Sequence, residues 1–362
     1  MSKTINVNDG KCADYDICIS NGFQELAKLL KPFLNMERKA VIVSDSNVAP
    51  LYEKEVRDII EANGNECFTY VFPAGEENKN LDTVKDLYEF LIENKIERRD
   101  ILIALGGGVV GDLTGFAAAT YLRGVDFIQV PTSLLAQTDS SIGGKTGVDF
   151  SKFKNMVGAF HQPKLCFMNM ETLKTLNHRQ VLSGLGEIIK AALIKDKNLF
   201  EWLKINIDDV LKLDSDALAY MIEKACIVKK DVVKKDPTEK GERALLNFGH
   251  TLGHAIEKAA GFSLTHGECV VLGMVAAASI SRKRGMIGEA DEKEIISLLE
   301  RCGYDLKISG YDKDEILEYA RSDKKMEAGV LKFILLDGVG NAVISKDVTR
   351  EELLDSLDEV LN

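Results

Sequence analysis

The sequence predicts an α/β domain built on a mostly parallel sheet, followed by a domain dominated by helices. Short β-branched runs alternate with helical patterns up to about residue 175, and helical patterns dominate beyond it. All six prolines lie at or before Pro237, five of them at or before Pro163, so the later part is free of strong helix breakers. Alternating β and α units imply parallel strands joined by crossover helices. The expected domains are residues 1–176 and 177–362.

Taken in order, the runs AVIVSDSN (40–47), CFTYVFPAGEENK (67–79), ILIALGGG (101–108) and FIQVPTS (127–133) read as strands that end in polar or glycine turns. VKDLYEFLIENK between the second and third has a helical period. Helices are then expected over QVLSGLGEIIKAALI, DALAYMIEKACIVKKDVV, HTLGHAIEKAA, ECVVLGMVAAASISRKRG and EKEIISLLERCG. KFILLDGVGNAVISK reads as a short extended pair, and Thr349 with Glu352 has the spacing of a capping box that opens a last helix. There is no internal repeat or low-complexity segment. A cleft between two such domains is a common place for a ligand.

A chain of 362 residues is long enough for about two domains, and 45% hydrophobic with 28% charged residues is a globular balance. The net charge of -11 argues against a nucleic-acid partner, although a local cationic pocket remains open to a small anion. Seven scattered cysteines, odd in number and never in a C-x-x-C pair, imply neither a disulfide framework nor a zinc knuckle. The start MSKTINVNDGK lacks the apolar core of a signal peptide, and VVLGMVAAASI is too short to span a bilayer. The expectation is a cytoplasmic protein.

Gly106, Gly108 and Gly111 have a G-x-G-x-x-G spacing directly after a strand, where bare backbone N–H groups approach a pyrophosphate at a helix N-terminus. The same glycines equally suit a tight turn with close helix–strand contact. Asp126 lies at the distance usual for an acid that holds the adenosine ribose, but it begins a strand. Asp45 lies just past a strand's C-terminal end, where open sheets bind nucleotides, and is the better candidate.

In the helix over 250–260, His250, His254 and Glu257 share one face and Leu252, Ala255, Ile256 and Ala259 the opposite one, so the polar face is expected to point away from the packing. On the helix over 180–194, Val181, Leu185, Ile188, Ile189 and Ala192 form the apolar stripe, with Glu187 and Lys190 on the other side. A solvated ion pair is the plain reading of those two. Three of five histidines within 17 positions point instead to a metal site, and three N/O ligands with an open position are the arrangement of a catalytic zinc. His250, His254 and His266 fit that description, and so does a histidine pair completed by Glu187 or Glu257.

The run from GGGVVGDLTGFAAATYLRGVDF through PTSLLAQTDSSIGGKTGVDFSKFKNMVGAFHQP, then GLGEIIKAALI, NFGHTLGHAIE and THGE, resembles the 3-dehydroquinate synthase family over nearly the whole chain. The resemblance implies a Rossmann-like N-terminal domain that binds NAD, a helical C-terminal domain that carries zinc or cobalt, a substrate between them, and a homodimer. It implies Glu187, His250 and His266 as metal ligands. NAD contacts follow at Asp45, Asn47, Glu76 and Lys79, at Gly107, Gly108, Val109, Val110, Gly111 and Asp112, and at Thr132, Ser133, Lys145, Lys154, Thr172 and Thr175.

For the substrate, 3-deoxy-D-arabino-heptulosonate 7-phosphate, the resemblance implies Arg123, Asp139, Lys145, Lys154, Asn155, Lys190, Lys229, Arg243, Asn247, His254 and Lys325. So many cations suit a ligand with a phosphate and a carboxylate. The implied chemistry is transient oxidation by NAD, phosphate elimination, re-reduction and intramolecular aldol closure, the second step of the shikimate pathway. Lys145, Asn155 and His254 are expected to hold the phosphate. Gln180 stands where glutamate is expected, and Ala191 with Ala192 where tyrosine and glycine are common; altered packing near the cofactor is the expected result. Rival readings are a related sugar-phosphate cyclase, against which Arg243 and Asn247 argue, and a polyol dehydrogenase.

Overall fold

The apolar runs of the first half form the centre of a seven-stranded sheet in the computed structural model, which describes residues 2–362 apart from 9, 11, 12, 35, 36, 152, 238, 240, 262, 323–325, 328 and 329. The chain divides into two units, Met1–Leu176 and Asn177–Asn362. The first contains β1 (Lys3–Asn8), β2 (Asp14–Ser20), α1 (Leu26–Leu30), β3 (Ala40–Asp45), α2 (Ala49–Ala62), β4 (Cys67–Phe72), α3 (Leu81–Glu93), β5 (Ile101–Gly106), α4 (Gly108–Thr120), β6 (Asp126–Pro131), β7 (Lys145–Phe150), β8 (Phe153–Phe160) and β9 (Leu165–Asn169).

The sheet order is β1-β2-β9-β6-β5-β3-β4, parallel throughout except for β1 against β2. β5 and the first four residues of β3 are unbroken apolar runs because both faces of the sheet are covered. Val41, Val43, Leu102 and Ala104 pack under α3 and α4 on one face. Ala40, Ile42, Ile101 and Ile103 pack against α1 and α2 on the other. α4 is apolar on nearly all sides because the separate antiparallel hairpin β7–β8 covers its outer surface, with Val148 of that hairpin in the same core. The strand order reverses between β3 and β5, which is where open α/β sheets bind ligands at their C-terminal edge.

The second unit contains α5 (His178–Lys195), α6 (Lys197–Leu211), α7 (Ser215–Lys235), α8 (His250–Ala259), α9 (His266–Lys283), α10 (Glu289–Cys302), α11 (Lys313–Ser322), the two-stranded pairs β10 (Met326–Glu327) with β11 (Val330–Leu331) and β12 (Phe333–Leu336) with β13 (Ala342–Ser345), and α12 (Arg350–Leu357). Capping boxes open α9 (Thr265 with Glu268) and α12 (Thr349 with Glu352). α9 is buried from Cys269 to Ser281 and forms the axis of the unit. No helix among the described residues is long and apolar enough to cross a membrane.

Glycines let α5, α8 and α9 meet backbone to backbone. A Cβ at Gly253 would lie 2.8 Å from the Cys269 carbonyl, and one at Gly267 or Gly273 would run into the backbone of Ser183 or Gly249. Gly249 itself sits at φ +78° against Val270, a position that suits glycine doubly. Gly273→Ala is expected to destabilise the protein by about 3 kcal/mol, the upper end of overpacking penalties, because backbone cannot yield as a side chain can. A denaturant midpoint unchanged from wild type would contradict this packing.

Candidate metal centre and nucleotide-binding edge

α5 delivers Glu187 and Lys190 one turn apart, α8 delivers His250, His254 and Glu257, and the first residue of α9 is His266. Two expectations fail here. The polar face of α8 does not point away from the packing, since His250 is 9% and Glu257 5% exposed. Glu187 and Lys190 are not a solvated pair either, at 3% and 2%. Helical periodicity separates polar from apolar faces but does not say which polar faces turn inward, and the glycine contacts bring these together.

Glu187 Oε1 lies 3.5 Å from His250 Nε2 and 3.4 Å from His266 Nε2. It is buried with no hydrogen-bond partner, while Lys190 Nζ donates to the other carboxylate oxygen, Oε2. A buried carboxylate oxygen without a donor costs about 1–3 kcal/mol or more, a cost that a cation at that point removes. The second ring nitrogens are held by oxygens: Nδ1 of His250 lies 3.2 Å from the Phe248 carbonyl and Nδ1 of His266 3.5 Å from Glu257 Oε2. The donor set therefore fits a divalent cation bound by two imidazoles and a carboxylate.

His250, His254 and His266 also bring one nitrogen each within 4.8 Å of one another, so a three-histidine set competes. The orphaned Glu187 oxygen favours the carboxylate set. His254 is half-buried, its ring centroid 5.2 Å from that of His250 and 5.6 Å from that of His266. Lys229 is buried on α7, Arg243 Nη1 donates to the Pro237 carbonyl at 2.8 Å, and Asn247 Nδ2 donates to Glu239 Oε1 at 3.0 Å. Glu239 and the Phe248 carbonyl went unnoticed in the sequence; a backbone acceptor leaves no motif. Lys325 lies outside the described residues.

In the first unit the nucleotide candidates line the C-terminal edge of the sheet. Asp45 ends β3, and its Oδ1 accepts from the backbone N–H of Asn47 and Val48. Gly106 ends β5, and Gly107 opens α4 without a side-chain cap, leaving first-turn N–H groups for an anion. Glu76 follows β4, Thr132 and Ser133 follow β6, and Thr172 and Thr175 follow β9. Thr175 Oγ1 hydrogen-bonds Tyr52 at 2.6 Å. Asp126 stands at the opposite edge, ion-paired with Arg38 at 2.7 Å and Lys164 at 3.4 Å.

Lys79 is 4% exposed and joins two groups of candidates, donating at 2.6 Å to both Asp112 Oδ2 and Asn155 Oδ1. Burial opposes its charge, but Asp112 and Glu76 outweigh burial and raise its pKa. Lys145 begins β7 and is exposed; Lys154 and Asn155 lie on β8, Asn155 at φ +53°. Asp139 lies in the single π turn Ala136–Ser140. Arg123 is exposed at φ +68°, in a turn where Leu122 is also left-handed.

Two family models match, described as 3-dehydroquinate synthase N-terminal (residues 69–183) and C-terminal (residues 184–326). A 3-dehydroquinate synthase of Acetivibrio thermocellus is 42% identical over 97% of this chain and 96% of its own. Among solved structures, a 2-epi-5-epi-valiolone synthase of Streptomyces hygroscopicus with NAD+ and Zn2+ bound superposes with TM-score 0.89 at 27% identity, covering 98% of each chain. A 2-deoxy-scyllo-inosose synthase complexed with carbaglucose-6-phosphate, NAD+ and Co2+ gives 0.85 at 27% identity, covering 99% of each.

For Glu187, burial would raise the carboxyl pKa, but Lys190 and His266 hold it well below the usual range. For His266, burial disfavours the charged ring, yet Glu187 and Glu257 push its pKa up to about 9. That raised value stabilises the metal-free fold in full below the ordinary histidine pKa of about 6.5, a contribution lost as pH rises through about 9. A ligating nitrogen must first shed the proton. Zinc affinity of the metal-free protein is therefore expected to strengthen from about pH 7 to about pH 9, with proton release measurable by calorimetry in buffers of different ionisation enthalpy. An affinity flat across that window would place His266 outside the ligand set.

Proposed function

This chain belongs to the 3-dehydroquinate synthase family, and on that premise we propose that it converts 3-deoxy-D-arabino-heptulosonate 7-phosphate to 3-dehydroquinate and phosphate, with NAD and zinc or cobalt as cofactors. The reading makes it a carbon–oxygen lyase acting on a phosphate. The observation that carries it is the convergence of His250 Nε2 and His266 Nε2 on the orphaned Glu187 Oε1. Relatives at 42% identity support this substrate over those of the cyclases at 27%.

Glu187, His250 and His266 hold the metal, with Lys190 orienting Glu187 through Oε2. When bound, the cation would supply Lewis acidity at the substrate hydroxyl to be oxidised, and NAD would supply a reversible hydride acceptor at that carbon. NAD would be held at the C-terminal sheet edge by Asp45 and Asn47, by the first-turn N–H groups of α4, and by Glu76, Thr132, Ser133, Thr172 and Thr175.

Elimination asks mainly that the phosphate be held so that its own oxygen reaches the proton beside the new carbonyl. Lys145, Asn155 and His254 take that task. Asn155 Oδ1 accepts from Lys79, so its amide N–H groups are the part of the side chain available to an anion. Arg243 and Asn247 receive the substrate carboxylate, and Arg123, Asp139, Lys154, Lys190, Lys229 and Lys325 complete the substrate contacts. A cytoplasmic homodimer completes the reading; the six described cysteines, all free and buried, suit a reducing compartment.

With catalytic NAD and zinc, the purified protein is expected to release phosphate in step with heptulosonate phosphate consumed, without accumulating NADH. Absence of phosphate release under those conditions refutes the proposal, and NADH build-up on a polyol would support the dehydrogenase rival. His250→Ala is expected to lose zinc and turnover together. His254→Ala should keep zinc and lose turnover about 100-fold, the scale of a misplaced reacting group; equal zinc loss in both would overturn the division of roles.

A further inference from the structure

We propose that Glu257 is a positioning residue for the metal centre, holding the Nδ1–H of His266 so that the Nε2 lone pair of that ring is aimed at the cation. The proposal rests on the ligand set given above and adds to it a residue on a different helix from the one it orients. Glu257 is 5% exposed, and its Oε2 lies 3.5 Å from His266 Nδ1. A carboxylate that deep is costly unless its charge is used.

A neutral imidazole has one N–H and one lone pair, so whatever accepts from one nitrogen selects the other as the ligand. The structure treats its two ligand rings alike. His250 Nδ1 faces the Phe248 carbonyl at 3.2 Å, His266 Nδ1 faces Glu257, and both Nε2 atoms converge on Glu187 Oε1 at 3.5 and 3.4 Å. The two acceptors differ in charge. A carbonyl only orients its ring, whereas a carboxylate also makes the imidazole a stronger donor and adds a second negative charge against the dication.

Position reinforces the argument. His266 is the first residue of α9, directly after the Thr265 cap, and Glu257 on α8 latches it from across the 260–265 connection. One helix thus supplies a ligand, the histidine assigned to the phosphate, and the group that orients a ligand on its neighbour.

The test measures zinc affinity by chelator competition on the full-length wild type, Glu257→Ala and Glu257→Gln. Glutamine keeps an acceptor oxygen and the volume, so it covers the case in which the alanine variant fails to fold. The expected result is an affinity loss of about 10–100-fold for alanine, with glutamine, which keeps the acceptor but not the charge, recovering part of it. Nitrogen-15 histidine NMR of the zinc-loaded wild type and glutamine variant should show His266 bound through Nε2 and protonated at Nδ1. Wild-type affinity in the alanine variant, equal losses in both variants, or ligation through Nδ1 would overturn the positioning role while leaving the family reading intact. A wild type that takes up no zinc would overturn the ligand set itself, and this proposal with it.

Discussion

The close approach of α5, α8 and α9 is the constraint on which the second unit depends. Gly249, Gly253, Gly267 and Gly273 remove the side chains that would keep these backbones apart. Only then do imidazoles from two helices come within 3.4–3.5 Å of one carboxylate oxygen from the third. Hydrophobic packing alone would hold three helices at ordinary separation, about 8–10 Å between axes. The tighter contact explains why α9, with no charged residue between Glu268 and Arg282, serves as the axis against which polar groups are buried.

Burying those groups is tolerable because each charge has a counterpart. Lys190 answers Glu187, and Glu257 answers His266. In the first unit Lys79 answers Asp112 and Glu76. Such pairs stabilise little against well-packed apolar residues, and breaking one leaves a stranded charge. Their value is in fixing geometry. Lys190 occupies one Glu187 oxygen and leaves the other exposed to the histidines, and Lys79 occupies the Asn155 carbonyl and leaves its amide donors.

The centre of the fold was legible in the sequence because β5 and the first four residues of β3 are apolar without interruption, which only a doubly covered sheet requires. The Thr349–Glu352 cap was legible because a capping box is local, and it opens α12 as expected. The hairpin β7–β8 was not legible as strands. Gly147 and Gly158 lie opposite each other in it, and Phe150, Phe153, Met156 and Phe160 are exposed, so the inside–outside alternation that announces a strand is blurred. The edge pair β1–β2 escaped notice for a different reason: β1 alternates polar with apolar residues, as a half-buried edge strand does, and lacks the unbroken apolar run that marks the centre of the sheet. The histidine and glutamate face of α8 was visible as a polar face, but its inward orientation comes from glycine contacts distant in sequence.

Under the proposed function the histidines of NFGHTLGH divide their labour, His250 binding the metal and His254 not. Anomalous difference density at the zinc edge in crystals of the zinc-loaded protein tests it most directly. The peak is expected between Glu187 Oε1, His250 Nε2 and His266 Nε2, at bonding distances of about 2.0–2.2 Å, with His254 outside bonding range. A peak bonded to His250, His254 and His266 with Glu187 left out would contradict it.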